Sequence, residues 1–151
     1  MYSISDIEDA IIDALEPLKS LLAIRTIKSY QEELADEDTI ARSTRLLPAI
    51  LVVYRGSSYV SHGARKIEQM TFVIFAVDRN LRSEADARRG ADNPGTYAIL
   101  RGVRDILYGS RLGLDIFPLS LMREQAEYFG TGISVYSAEY ETAQALLYEA
   151  D

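Results

Sequence analysis

A chain of 151 residues, 48% hydrophobic and 26% charged, fits one domain over 1–151 and can bury a core without metal or disulfide staples. It has no cysteine, which excludes disulfides, thiolate metal sites and a cysteine nucleophile. The net charge of −7 is uneven: residues 1–40 carry ten acids and three bases, whereas residues 41–151 carry thirteen of each.

The N-terminal run MYSISDIEDAIIDALEPL brings five acids before the first lysine. An export signal would begin basic and then turn apolar. No apolar stretch approaches the roughly 18 residues of a membrane span, so a soluble protein without membrane contact is expected. Ser5 and Glu8 are spaced as a capping box, with Asp6 and Asp9 favouring the helix N-terminus. Ile4, Ile7, Ile11, Leu15, Leu18 and Leu22 recur at helical spacing and form one apolar stripe. Pro17 should kink this helix or end its first part near Glu16.

Residues 23–30 (AIRTIKSY) read as a short strand, and the acidic, aperiodic 31–45 as a loop with room for one helical turn. Pro48 opens AILVVYRG, a β-branched and aromatic strand ending at Gly56. Residues 57–65 then form a connection, most simply the tip of a long hairpin. In KIEQMTFVIFAVD (66–78), Met70, Phe72, Ile74 and Ala76 point one way, and Val73, Phe75 and Val77 the other. Apolar residues on both faces predict a central strand covered by helices or by a partner subunit.

Pro94 is expected in the first turn of a second helix, with Tyr97, Leu100, Val103, Arg104 and Leu107 near one face, Ile99 and Ile106 beside it, and Gly109 as its stop. Residues 117–128 and 133–147 read as two strands joined at FGTG, the second half-exposed. The order α-β-β-β-α-β-β lacks strand–helix alternation. It predicts an α+β fold with a mainly antiparallel four- to five-stranded sheet and two main helices packed on it.

The search for chemistry yields little. His62 is the only histidine and sits in a Ser- and Gly-containing loop, where solvation is the simpler reading. The cluster Glu32, Glu33, Asp36, Glu37 and Asp38 lacks the alternating spacing and central glycine of a calcium loop. Ser57 and Ser58 follow Gly56 without a G-x-S-x-G elbow, and neither phosphate fingerprint is present. Glu139 and Glu141 share a strand face and could share a proton; a charge-protected edge strand explains them more simply. No enzyme, cofactor or metal site is expected.

The segment DRNLRSEADARRG (78–90) holds Arg79, Arg82, Arg88 and Arg89 among Asp78, Glu84 and Asp86. Its near-balanced charge argues against nucleic acid, whose phosphates demand concentrated positive charge. A short helix pairing Arg82 with Asp86 is the plainest reading, and a protein interface is the alternative. Thirteen of the sixteen basic residues are arginine, the residue favoured for planar, multidentate interface contacts.

The ordered series LPAILVVYRG, FVIFAVDRNLRSEADARRG, PGTYAILRGVRDILYG, LGLDIFPL and VYSAEYET resembles the Mu-like prophage tail protein family over about residues 3 to 143. The resemblance implies a non-enzymatic structural protein of contractile-tailed phages, related in role to tail terminators. Such α+β subunits form a ring, usually hexameric, on the head-proximal end of the tail tube. The implied partners are further copies of itself, the tail tube or sheath, and the head–tail connector. The implied location is the bacterial host cytoplasm during assembly and then the virion tail. The interface expected from this is Arg79, Arg82, Arg88 and Arg89 with the 56–66 hairpin tip, including Tyr59 and His62. A competing reading is a small α+β ligand-binding or regulatory domain, with a pocket between the second helix and the sheet; a third is a minor enzyme using scattered carboxylates.

Overall fold

The computed structural model describes residues 1–80, 83–91 and 93–147. Helix α1 (Ile4–Leu15) is followed by α2 (Leu18–Leu21) and strand β1 (Thr26–Ser29). Short α3 (Glu37–Arg42) and a 3-10 turn (Thr44–Leu46) lead into β2 (Ala49–His62) and β3 (Arg65–Arg79). Then come α4 (Glu84–Arg89), α5 (Thr96–Leu107), β4 (Ser120–Gly130) and β5 (Ile133–Leu146). The sheet order is β1-β2-β3-β5-β4. Every neighbouring pair is antiparallel except β1–β2. The expected mainly antiparallel α+β sheet is therefore present, with one parallel ladder. That ladder follows from the 30–48 crossover, since parallel neighbours cannot be joined by a tight turn.

On one face of the sheet, Ile7, Ile11 and Leu15 of α1 and Ile99, Val103 and Leu107 of α5 pack on Phe72, Ile74, Ala138 and Tyr140. These side chains fill the space between α5 and the sheet. The other face is covered at one end only. There Tyr30, Leu34, Ile40 and Leu47 close over Ala49, Leu51, Val77 and Val135. The expectation that β3 is covered on both faces thus holds at its C-terminal end. Farther along, Val73 and Phe75 border an open hollow of about 440 Å³ with Val53 and Glu139.

Several local expectations need correcting. The α1 cap is Ser3, not Ser5: its Oγ accepts from Asp6 N–H and the Asp6 carboxylate accepts from Ser3 N–H, each at 3.0 Å. The shorter aspartate closes the box that glutamate usually closes. α1 does end before Pro17, at Leu15. Strand β2 does not stop at Gly56. It passes through a bulge between Tyr54 and Gly56 and stays paired to His62↔Arg65, leaving only Gly63 and Ala64 as the turn. Pro94 precedes the α5 N-cap, Gly95. Tyr97 and Arg104 lie on the exposed side of α5 rather than its packed face. Strand β5 is interior, between β3 and β4, so Glu139 and Glu141 are not on an edge. Glu139 instead receives the guanidinium groups of Arg55 and Arg123 from the strands on the same face.

The Tyr140 side chain is fully buried, and its hydroxyl has no hydrogen-bond partner among the described residues. Burial pushes this phenol well above its usual pKa. A buried hydroxyl without a partner costs stability that an apolar group of the same shape does not. Tyr140→Phe is therefore expected to hold or raise stability by about 1 kcal/mol, read as a higher urea midpoint at unchanged slope.

Candidate functional site

The predicted interface residues fall into two groups. Arg79 ends β3, and Arg88 and Arg89 lie on α4 just beyond it, whereas Tyr59 and His62 lie near the hairpin tip at the other end of the same strand. With about 3.3 Å per residue, the fifteen residues of β3 hold the groups roughly 45 Å apart. The fold does not unite them into one site. Arg82, and its expected pairing with Asp86, lie outside the described residues.

The junction after β3 is built around a carboxylate. Asp78 is completely buried. It accepts from Arg79 N–H at 2.7 Å, Gly95 N–H at 2.8 Å and Asn93 Nδ2 at 3.2 Å. Burial raises its pKa, and these donors only partly reverse that. Gly90 (φ +95°) and Gly95 (φ +84°) adopt backbone conformations that L side chains rarely visit. A Cβ on Gly95 would come within 2.4 Å of Gly90 N and 2.6 Å of Arg88 O. Two backbones thus touch where only glycine fits, and α4 is locked against the start of α5. This lock holds the described part of α4, with Arg88 and Arg89, against the end of β3 that carries Arg79.

Around it lies an aromatic cluster. The Arg88 guanidinium carbon sits 5.0 Å from the Phe129 ring centroid. Phe129 packs edge-on against Tyr136 at 5.6 Å, and Tyr136 against Tyr97 at 5.7 Å. Tyr97 and Phe129 remain about half exposed, at 47% and 42%. The hydrogen bond with Tyr136, helped by Arg88 and Arg89, holds the Tyr97 phenol below its usual pKa. Exposed tyrosine, phenylalanine and arginine in one patch have the composition of a protein interface. Arg88 and Arg89 are legible in the sequence but their aromatic partners are not, because Tyr97, Phe129 and Tyr136 meet only when α5 packs beside paired β4 and β5.

At the far end, Tyr59 OH donates to Glu68 Oε2 at 3.1 Å and Ser57 Oγ to the same oxygen at 3.2 Å. Gln144 Nε2 donates to Glu68 Oε1 at 3.1 Å and to Tyr2 O at 3.0 Å. The hydrogen bond to Glu68 raises the Tyr59 pKa. This network ties the chain's start and β5 to the hairpin. His62 is exposed and lines an open hollow of about 550 Å³ with Val60, Arg65, Ile67 and Phe117. Among the described residues, no group of three or more His, Asp or Glu could hold a metal ion. No described helix is long and apolar enough to cross a membrane.

No curated protein matches the chain. A solved structure described as "Virion of native gene transfer agent (GTA) particle" contains a chain with the same fold. The match has a TM-score of 0.60 at 14% identity and covers 95% of this chain and 98% of that one. The family model described as "Bacteriophage Mu, Gp37" matches residues 3–145, and the chain belongs to that family of phage structural proteins.

Proposed function

We propose that this phage structural protein completes the tail. Copies of the 1–151 domain form a ring, usually hexameric in such subunits, that caps the tail tube, stops its growth and presents a surface to the head connector. The ring works without catalysis or cofactor, assembles in the bacterial host cytoplasm and remains in the virion tail. Its partners are other copies of this chain, the tube or sheath, and the connector. The observation that carries this reading is the family match over residues 3–145. It is supported by a fold shared with a chain from a particle described as a gene transfer agent virion. A ring of identical subunits needs two different surfaces per copy, because each contact is heterologous. The acidic N-terminal portion and the arginine-bearing patch around Arg88 supply such a pair, and the hairpin tip at the other end of β3 faces the tail tube.

The test is assembly without the protein. Phage lacking this gene should accumulate tails of irregular length with few joined heads, as counted by electron microscopy, and supplying the protein in trans should restore both. Tails of normal length joined to heads in its absence would overturn the reading.

A further inference from the structure

The two main helices carry exposed stripes of opposite character. On α1, the exposed Asp6, Asp9, Asp13 and Glu16 recur at spacings of three and four, so they line the side away from Ile7, Ile11 and Leu15. On α5 and its C-cap, Tyr97, Arg101, Arg104 and Tyr108 recur at four, three and four and are likewise exposed, with Tyr97 at 47% and Tyr108 at 65%. At 1.5 Å per residue each stripe runs for about 15 Å. Arg88, Arg89 and Phe129 continue the second stripe past Tyr97.

The stripes do not neutralise each other within one chain. Asp9, Asp13, Arg89 and Arg101 make no ion pair with any described residue, and α1 and α5 meet through their apolar sides. Arg104 is held in place by Glu124 at 2.7 Å and Arg88 sits over the Phe129 ring, leaving Arg101 and Arg89 as the cations of the stripe without either kind of partner among the described residues. The cost of leaving them unpaired in solvent is small; the match in length, sign and exposure is what points to a partner. Tyrosine and arginine supply the anchors that interface energy concentrates in, while opposed charge fixes register and suppresses wrong contacts.

We infer that the acidic stripe of α1 in one copy docks on the Tyr97–Arg101–Tyr108 stripe of α5 in a second copy, with Asp9 and Asp13 facing Arg89 and Arg101. The inference rests on the ring reading above and names the contact that closes it. Each copy offers one stripe to each neighbour, so the contact is heterologous and propagates around a ring.

Three variants test it: Asp9→Arg with Asp13→Arg, Arg89→Glu with Arg101→Glu, and all four changes together. All the positions are exposed, so circular dichroism should show each variant folded. Either reversal alone should weaken self-association about tenfold or more in light scattering, and the fourfold variant should recover it. Wild-type assembly should also weaken with added salt. If the single reversals assemble like wild type, or if the fourfold variant stays as weak as they are, the contact is wrong. That outcome leaves the ring reading standing so long as wild type still forms rings or caps tails. The ring reading itself falls if tails are normal without the protein.

Discussion

Asp78→Ala is expected to lower the unfolding free energy by about 3 kcal/mol, the largest effect of any single polar side chain in the β3–α5 junction. The loss comes from backbone donors left without an acceptor. Gly95 N–H begins α5, and the Asp78 carboxylate at 2.8 Å is its acceptor; Arg79 N–H at 2.7 Å shares that carboxylate. Alanine leaves the buried Gly95 N–H and the half-buried Arg79 N–H without their acceptor, at about 1–3 kcal/mol each, and removes an anion that favours the helix N-terminus. Part of that loss is offset, because the native protein also bears the desolvation of the carboxylate. Asp78→Asn separates the two terms: it keeps one acceptor oxygen and cannot ionise, so about half the loss is expected. The pH dependence has a definite sign. The folded-state pKa of Asp78 is raised by burial, so the associated stability is full below the ordinary aspartate value and is lost as pH rises through the folded value. The advantage of the native protein over Asp78→Asn should therefore shrink as pH rises across that window. Equal denaturation midpoints for the native protein and Asp78→Ala at neutral pH would remove Asp78 from this role.

The strand core was legible because β3 announces itself. Met70, Phe72, Ile74 and Ala76 against Val73, Phe75 and Val77 is a pattern that only a central strand can bury. The register that follows makes Phe72 pair with Tyr140 and Ile74 with Ala138. What the pattern could not show was the depth of β5. Glu139 and Glu141 look like edge residues until the fold brings Arg55 and Arg123 across to Glu139; charge on a strand reads as exposure only while its partners are unknown. The arginines of 78–90 were visible as a cluster, but the device that presents them is non-local. Gly90 and Gly95 look like ordinary turn residues, and their backbone contact emerges only when α4 folds back. In the sequence Asp78 counts only as one charge in the balance of 78–90, yet it has no exposure at all. The same limit hid the aromatic side of the candidate interface, which draws on α5, β4 and β5 together.

Lys28→Met should cost about 2 kcal/mol at neutral pH and weaken the contribution of one acid to the pH dependence of stability. Lys28 Nζ lies 2.7 Å from Glu33 Oε1, with the glutamate side chain only 9% exposed and the lysine 34%. The other carboxylate oxygen accepts from Gln31 N–H at 2.7 Å. Burial alone would raise the Glu33 pKa, but Lys28 and the backbone donors outweigh it, and the carboxyl sits below its usual value. A depressed folded-state pKa contributes stability that is present above the unfolded value and lost as pH falls through the folded one. In the native protein this pair should therefore add to acid sensitivity below the ordinary glutamate range. Methionine keeps the apolar stem of Lys28 on the strand but removes the cation, leaving burial as the largest influence on Glu33. Its pKa then rises from the native value, and the stability that is lost as pH falls through it shrinks. The cost is set below the 3–5 kcal/mol of a fully buried pair, because a third of the Lys28 side chain is exposed and water screens the attraction. Glu33→Gln in the Lys28→Met background should recover most of the loss at neutral pH, since it removes the stranded charge. Urea titrations of the native protein and both variants across the acid range measure all three quantities. A Lys28→Met profile that simply runs parallel to the native one would show that the ion pair does not set the Glu33 charge.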